Sequence, residues 1–409
     1  MTTLFRLKDL VTHPYDRPFD APDSLCLGIE QMFVQVTHAW CREALQDNLA
    51  ALRTNGLISD GMVCDFVDST RFNAFAWRTA DLDTVLFNSG VSLCLGAVYS
   101  WFLSSRNSFP TIGSPGRERS SLDPWPALPD SFVDNVVAKV MELGASSVLE
   151  LLDDLPAQIQ ADVKRHLSRQ ATYSVDITKV SPLDPKRQQM AFLLLRWSML
   201  FMLLHEVGHI VHGHVDYARR ELHAVEYREA GGSPDVVLRR AQEQQADIFA
   251  TTLMHFAVLR HPRELHPDLF GGKTEECIRA LAFALVTVFS TIAVAEGSIP
   301  HEQRTHPDPR ERFVAAITIG LEESRLEGII ASSDILQIGF EALFDVESLF
   351  REAFTKSTNP WRLDDDSIGV PLGLASTAET REQWRHWARY DRYEAARRRK
   401  AGISWQIRL

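Results

Sequence analysis

The run His205-Glu206-Val207-Gly208-His209 constrains this chain more than any other stretch. Two imidazoles one helical turn apart share a face, so both can bind one metal ion. Glu206 lies between them, where its carboxylate can take a proton from a water that the ion polarises. Leu203, Leu204, Val207, Ile210 and Val211 surround these polar groups with apolar ones, which predicts a buried helix. A catalytic zinc needs a third protein ligand and an open position for water, so another part of the chain must reach the two histidines.

Three residues are candidates for that third ligand. His212 lies near the face of His209 but would crowd one side of the ion. His214 follows Gly213 and can fold back. The third candidate, Glu243, stands in Glu243-Gln244-Gln245-Ala246-Asp247, on a helix whose start is signalled by Ser233-Pro234-Asp235. Glu243 and Asp247 share a helical face, so Glu243 can bind the metal while Asp247 fixes the tautomer of a ligating imidazole. Glu243 is the favoured reading. The pattern that places Gly three and His six residues after the second histidine fails, because His212 and Val215 stand there.

A further cluster follows at Thr305-His306-Pro307-Asp308-Pro309-Arg310-Glu311-Arg312. Attack of water on a carbonyl builds negative charge on its oxygen, and a cation or N–H opposite the metal stabilises it. His306 is the first choice for this role and Arg312 the second; the competing reading is a helix-capping loop with surface charges.

Bulk properties narrow the setting. A chain of 409 residues, 45% hydrophobic and 24% charged, reads as soluble and globular, and its net charge of -11 argues against nucleic-acid binding as the main role. The cysteines at 26, 41, 64, 94 and 277 form no C-x-x-C pair and read as reduced thiols of a cytoplasmic protein. The N-terminus carries no secretory signal. Two apolar runs, Met190–Leu204 and Ala280–Ala295, read as core helices: the first holds Arg196, and the second falls short of the roughly 20 residues a membrane span needs.

Along the chain, residues 1–103 mix helical and strand signals, with helix at Glu30–Leu52 and strands at Asn73–Ala76 and Thr84–Phe87. Ser104–Pro129 is rich in Ser, Pro and Gly and reads as a loop or mobile linker. It opens a linker and helical insertion over 104–185. The part from 186 to 360 reads as helical and zinc-binding, with helices from Asp184-Pro185, from Ser233-Pro234 to about Arg260, over Lys273–Glu296, from Pro309 and over Ser333–Lys356. Residues 361–409 form a basic aromatic tail, with Trp384, Trp387, Tyr390 and Tyr393 among its charges. It reads either as a solvated helix docked by its aromatics or as a contact for an acidic partner, nucleic acid or anionic lipid.

With Asn73-Ala74-Phe75-Ala76 upstream, the order of these motifs resembles the gluzincin endopeptidases of the CAAX-prenyl-protease and HtpX-like family. A soluble variant of the phage-exclusion type, similar to the Lit protease, fits the architecture and compartment. The resemblance implies His205, His209 and Glu243 as ligands of one zinc ion, Glu206 as general base and Asp247 as the acid behind a ligand. It places His306 and Arg312 in the last motif and His214 at a histidine often found five residues after the second ligand. It also implies that the strand of Asn73, Ala74, Phe75 and Ala76 is an edge over the metal, to which an extended substrate adds as another strand. The expected fold is α+β, predominantly helical and zincin-like, with a small edge sheet over the metal site and a large helical insertion. Gly90 to His205 is far longer than in that family, and the membrane helices of those relatives are missing.

The expected function is a soluble, cytoplasmic zinc endopeptidase acting on a protein or peptide, with neither membrane nor nucleic acid as partner. A refinement makes it latent, with the 104–185 segment over the cleft until a trigger arrives. The alternative is a non-catalytic zinc-binding regulator or sensor that meets a partner through its basic tail; the intact Glu206 argues against it.

Overall fold

A computed structural model describes residues 62–67, 73–79, 82–118, 182–221, 236–254, 267–295, 312–316 and 332–353, with 45–46, 49–50, 53, 58 and 306. Residues 119–181 of the expected insertion, the Ser233-Pro234 cap and the basic tail lie outside the described residues, as do most of Glu30–Leu52 and the ends of the helices set at Arg260 and Lys356.

The described elements are mostly helical. A three-stranded sheet, β1 (Val63–Val67), β2 (Ala74–Thr79) and β3 (Leu82–Asn88), precedes α1 (Ser89–Leu103), α2 (Pro185–Val211), α3 (His214–Glu221), α4 (Val236–Met254), a single turn α5 (Pro267–Phe270), α6 (Thr274–Ala295) and α7 (Ser332–Ala353). The strand order β1-β3-β2 puts β3 in the centre and β2 at an edge. Two residues join β2 to β3, so the pair is antiparallel; Asn88 N–H donates to Asn73 O at 3.0 Å and fixes its register. Asp83 to Asn88 are all buried, as in a strand covered on both faces. Along β2 and the residue before it the side chains alternate: Ala74 and Ala76 are buried, while Asn73, just ahead of the strand, and Phe75 are half-buried. Both strands stand where the sequence placed them, and Phe75 is on the outer face rather than in the core.

Contacts divide the chain into two compact units: residues 1–46, 64–74 and 86–199, and residues 47–63, 75–85 and 200–409. In the first, α1 is buried on nearly every side (Val91, Cys94, Leu95, Val98, Tyr99, Phe102), and the Tyr99 hydroxyl meets Ser198 Oγ at 2.5 Å. Asp184 caps α2, its Oδ1 accepting from Lys186 N–H at 2.9 Å and Arg187 N–H at 3.2 Å, with Pro185 at the first helical position.

The Ser- and Gly-rich stretch after α1 is a loop, but over 104–118 it is not a mobile linker. Arg187 is fully buried. Its Nε donates to Leu103 O at 2.8 Å, Nη1 to Phe109 O at 3.0 Å and Ile112 O at 3.2 Å, and Nη2 to Ser105 O and Ser108 O at 2.6 and 2.5 Å. A loop without a ladder must find other donors for its carbonyls, and here one guanidinium donates to five of them, two of which, Ser105 O and Phe109 O, also accept from Ser108 N–H and Ile112 N–H. Glu118 answers that charge at 3.8 Å and accepts from Asp184 N–H at 2.8 Å.

In the second unit α6 and α7 pack along each other, with Arg279 Nη2 donating to Glu341 at 2.6 Å. Phe201 on α2 meets Phe289 on α6 edge to face at 5.3 Å. Among the described residues α2 alone is long and apolar enough to cross a membrane, and 89% of its apolar window is buried. Cys64, Cys94 and Cys277 are buried and, among the described residues, in no disulfide, and burial pushes the Cys277 thiol up to about 12.

Candidate metal centre

The C-terminal half of α2, the turn after it and α4 build the site. Gly208 of α2 and Ala246 of α4 are the small residues of their motifs, and they touch: a Cβ on Gly208 would meet Ala246 Cα at 3.1 Å and the Phe249 ring at 3.3 Å. This close approach lets a short carboxylate on α4 reach imidazoles on α2. Gly213 then ends α2 at φ 79, a backbone that suits glycine, with its N–H on Ile210 O at 3.1 Å. α3 starts at the next residue, so His214 is folded back onto His209.

His205, His209 and Glu243 form one buried group of potential metal ligands whose ligand atoms all lie within 4.8 Å of one another. The two Nε2 atoms are 3.1 Å apart. Glu243 Oε2 stands 3.1 Å from His205 Nε2 and 3.6 Å from His209 Nε2. In a tetrahedron with bonds of about 2.0–2.1 Å, ligand atoms stand roughly 3.3–3.4 Å apart. Three acceptor atoms converging at this spacing fit a divalent ion. Of the three candidates for third ligand, Glu243 is the one in place. His214 lies behind His209, Nδ1 to Nδ1 at 2.8 Å, and His212 Nδ1 accepts from Gln245 Nε2 at 3.2 Å.

Asp247 accepts from His205 Nδ1 at 2.9 Å through Oδ1, which leaves His205 Nε2 turned toward Glu243. Arg312 grips the same carboxylate with both arms, Nε to Oδ2 at 2.7 Å and Nη2 to Oδ1 at 2.8 Å, and its guanidinium lies 4.6 Å from the centre of the Phe289 ring. Arg312 is thus committed to Asp247 rather than set opposite the metal ligands as an oxyanion group. The sequence spacing could not distinguish these roles, since the Asp247 contact links residues 65 apart. His306 does reach the cluster, with Nε2 3.4 Å from Glu243 Oε2. Glu206 is 3% exposed and follows His205 on α2. Ala74 to Ala76 lie on the edge strand β2, and Asn73 immediately precedes it.

Burial raises the cost of every charge here, and the partners decide its sign. Burial opposes ionisation of Glu243, but the imidazoles of His209 and His306 and the hydrogen bonds from His205 and His209 hold its carboxyl well below the usual range. Burial likewise opposes the charge on Asp247, and Arg312 with the His205 N–H holds it low. For His205 burial disfavours the imidazolium, yet Asp247 and Glu243 together push its pKa up to about 10. Burial and the neighbouring His209 and His212 hold His214 well below the ordinary imidazole range.

Paired histidines from H-E-x-x-H, joined by a glutamate from a second helix with an aspartate one turn beyond it, define a metal site of the gluzincin metallopeptidase type. Residues 158–326 match the family Peptidase U49, and that segment contains every residue of the site from His205 to Arg312. Asn73 to Ala76 lie outside the match. No curated protein and no solved structure matches the chain.

Proposed function

We propose that the chain is a zinc-dependent endopeptidase, with Glu206 as its general base. The carrying observation is the convergence of His205 Nε2, His209 Nε2 and Glu243 Oε2 at 3.1–3.6 Å. Zinc held there would lower the pKa of a water toward about 7 and polarise a carbonyl. Glu206 takes the proton as that water attacks the scissile carbonyl and delivers it to the leaving amine. His306 donates to the carbonyl oxygen as negative charge builds. Asp247, held by Arg312, keeps the His205 proton on Nδ1 and its Nε2 toward the ion. An extended stretch of a protein substrate pairs with the outer edge of β2, the position of that strand in the sheet being the support. The reduced, buried thiols support a cytoplasmic setting.

His205, Glu206, His209 and Glu243 are each no more than 5% exposed. This closure favours a latent enzyme in which a trigger must open a path to the base. Glu206→Gln tests the reading: the variant keeps its zinc and loses cleavage of unfolded protein by at least about 10²-fold, the scale of general-base catalysis. A zinc-loaded Glu206→Gln chain as active as the native one removes Glu206 from the reaction. Bound zinc in the native chain with no turnover, even after limited proteolysis, favours the regulator.

A further inference from the structure

Gln245 lies between two histidines outside that ligand group, His214 and His212. Its Oε1 is 2.9 Å from His214 Nε2, and its Nε2 is 3.2 Å from His212 Nδ1. His214 Nδ1 in turn stands 2.8 Å from the Nδ1 of His209. All four side chains are at most 6% exposed.

Hydrogen counting gives this row one direction. His209 can bind a metal through Nε2 only if that atom carries no hydrogen, so its single proton sits on Nδ1. That N–H points at His214 Nδ1, which must accept. The proton of His214 is therefore on Nε2, and Gln245 must present its carbonyl oxygen there. Its amide then faces His212 Nδ1 as a donor, which places the proton of His212 on Nε2. Turning the carboxamide over would reverse every bond, put a proton on His209 Nε2 and block the metal.

We propose that Gln245 is a positioning residue for the metal, selecting through His214 the tautomer of His209 that can ligate. The proposal rests on His205, His209 and Glu243 holding a metal and is independent of peptide cleavage. It gives Gln245, two residues past one ligand and 36 past another, a role that neither motif pattern specifies. Leucine at 245 accepts nothing, so His214 can present either face. Glutamate keeps an acceptor for the His214 N–H, and His212 can turn its own proton toward the second oxygen.

The test is the zinc dissociation constant of the full chain, measured by competition with a chelator, for the native protein, Gln245→Leu and Gln245→Glu. Loss of an outer partner of a ligating histidine weakens binding about 10–100-fold, so the leucine variant should fall in that range and the glutamate variant within a few-fold of native. Histidine-selective nitrogen NMR of the zinc-loaded native chain should find His214 and His212 as Nε2–H tautomers, a result that holds whether or not the leucine variant folds. A native chain that binds zinc while the leucine variant binds equally well, or a His214 protonated on Nδ1, overturns the relay alone. A native chain with no affinity for zinc overturns the metal centre itself.

Discussion

Gly208 of α2 lies against Ala246 of α4, with 3.1 Å between the Cα of Ala246 and the place a Gly208 methyl would occupy. The two motifs that supply the ligands are joined at their smallest residues. Gly208→Ala should force α2 and α4 apart by a few tenths of an ångström, because the opposing atom is backbone and cannot swing away. Overpacking of this kind costs about 1–3 kcal/mol. The expected result is a lower denaturation midpoint together with weaker zinc binding; unchanged zinc affinity would show that the approach does not set the ligand spacing.

Removing Arg312 should act on stability and metal binding before it acts on turnover. Arg312→Met leaves the buried Asp247 carboxylate without its guanidinium, and an uncompensated buried charge costs about 3–5 kcal/mol. Denaturant unfolding and zinc competition should both show the loss. An Arg312→Met chain of native stability and zinc affinity, but reduced turnover on protein substrate, would return Arg312 to an oxyanion role.

Much of this centre is legible in the sequence. The spacing of His205 and His209 on a helix, and of Glu243 and Asp247 on another, follows from the helical repeat alone. The start of α2 follows from the cap at Asp184-Pro185, and α6 falls within the run expected over Lys273–Glu296. What the sequence does not yield are pairings across long separations. Gly208 reads as an ordinary glycine until Ala246 is opposite it. Gln245 reads as one more polar residue of a solvated helix until His214 and His212 flank it. Arg187 lies in the first charged turn of α2, and nothing in its neighbourhood announces that it will gather the carbonyls of a loop some 80 residues earlier.

That loop yields its own prediction. Arg187→Leu takes the guanidinium from five carbonyl groups; Ser105 O and Phe109 O keep the N–H groups of Ser108 and Ile112, and each buried acceptor left unpaired costs about 1–3 kcal/mol. The variant should lose at least about 3 kcal/mol in denaturant unfolding and become susceptible to proteolysis within 104–118. Native stability and native protease resistance would show that the carbonyls find other partners.

Zinc affinity should rise with pH. In the metal-free protein Asp247 and Glu243 hold the His205 pKa at about 10, above its ordinary value of 6.5. Zinc must therefore displace a proton from His205 at neutral pH, and binding should tighten by up to tenfold per pH unit, levelling off above about 10. The same raised pKa stabilises the metal-free fold below pH 6.5, and that contribution fades as the pH rises through about 10. The zinc-loaded chain should not show this decline. Proton release in calorimetry and the pH dependence of unfolding with and without zinc check both signs; binding that weakens with rising pH between 7 and 9 contradicts them.

The most direct test of the central claim is zinc stoichiometry after equilibrium dialysis at a fixed free zinc concentration, comparing the native chain with Glu243→Ala. His205, His209 and Glu243 acting together predict one zinc per native chain and a loss of most of that zinc in the variant, while Glu206→Gln stays fully loaded. A native chain without zinc, or a Glu243→Ala chain holding one zinc as tightly as native, would contradict the account.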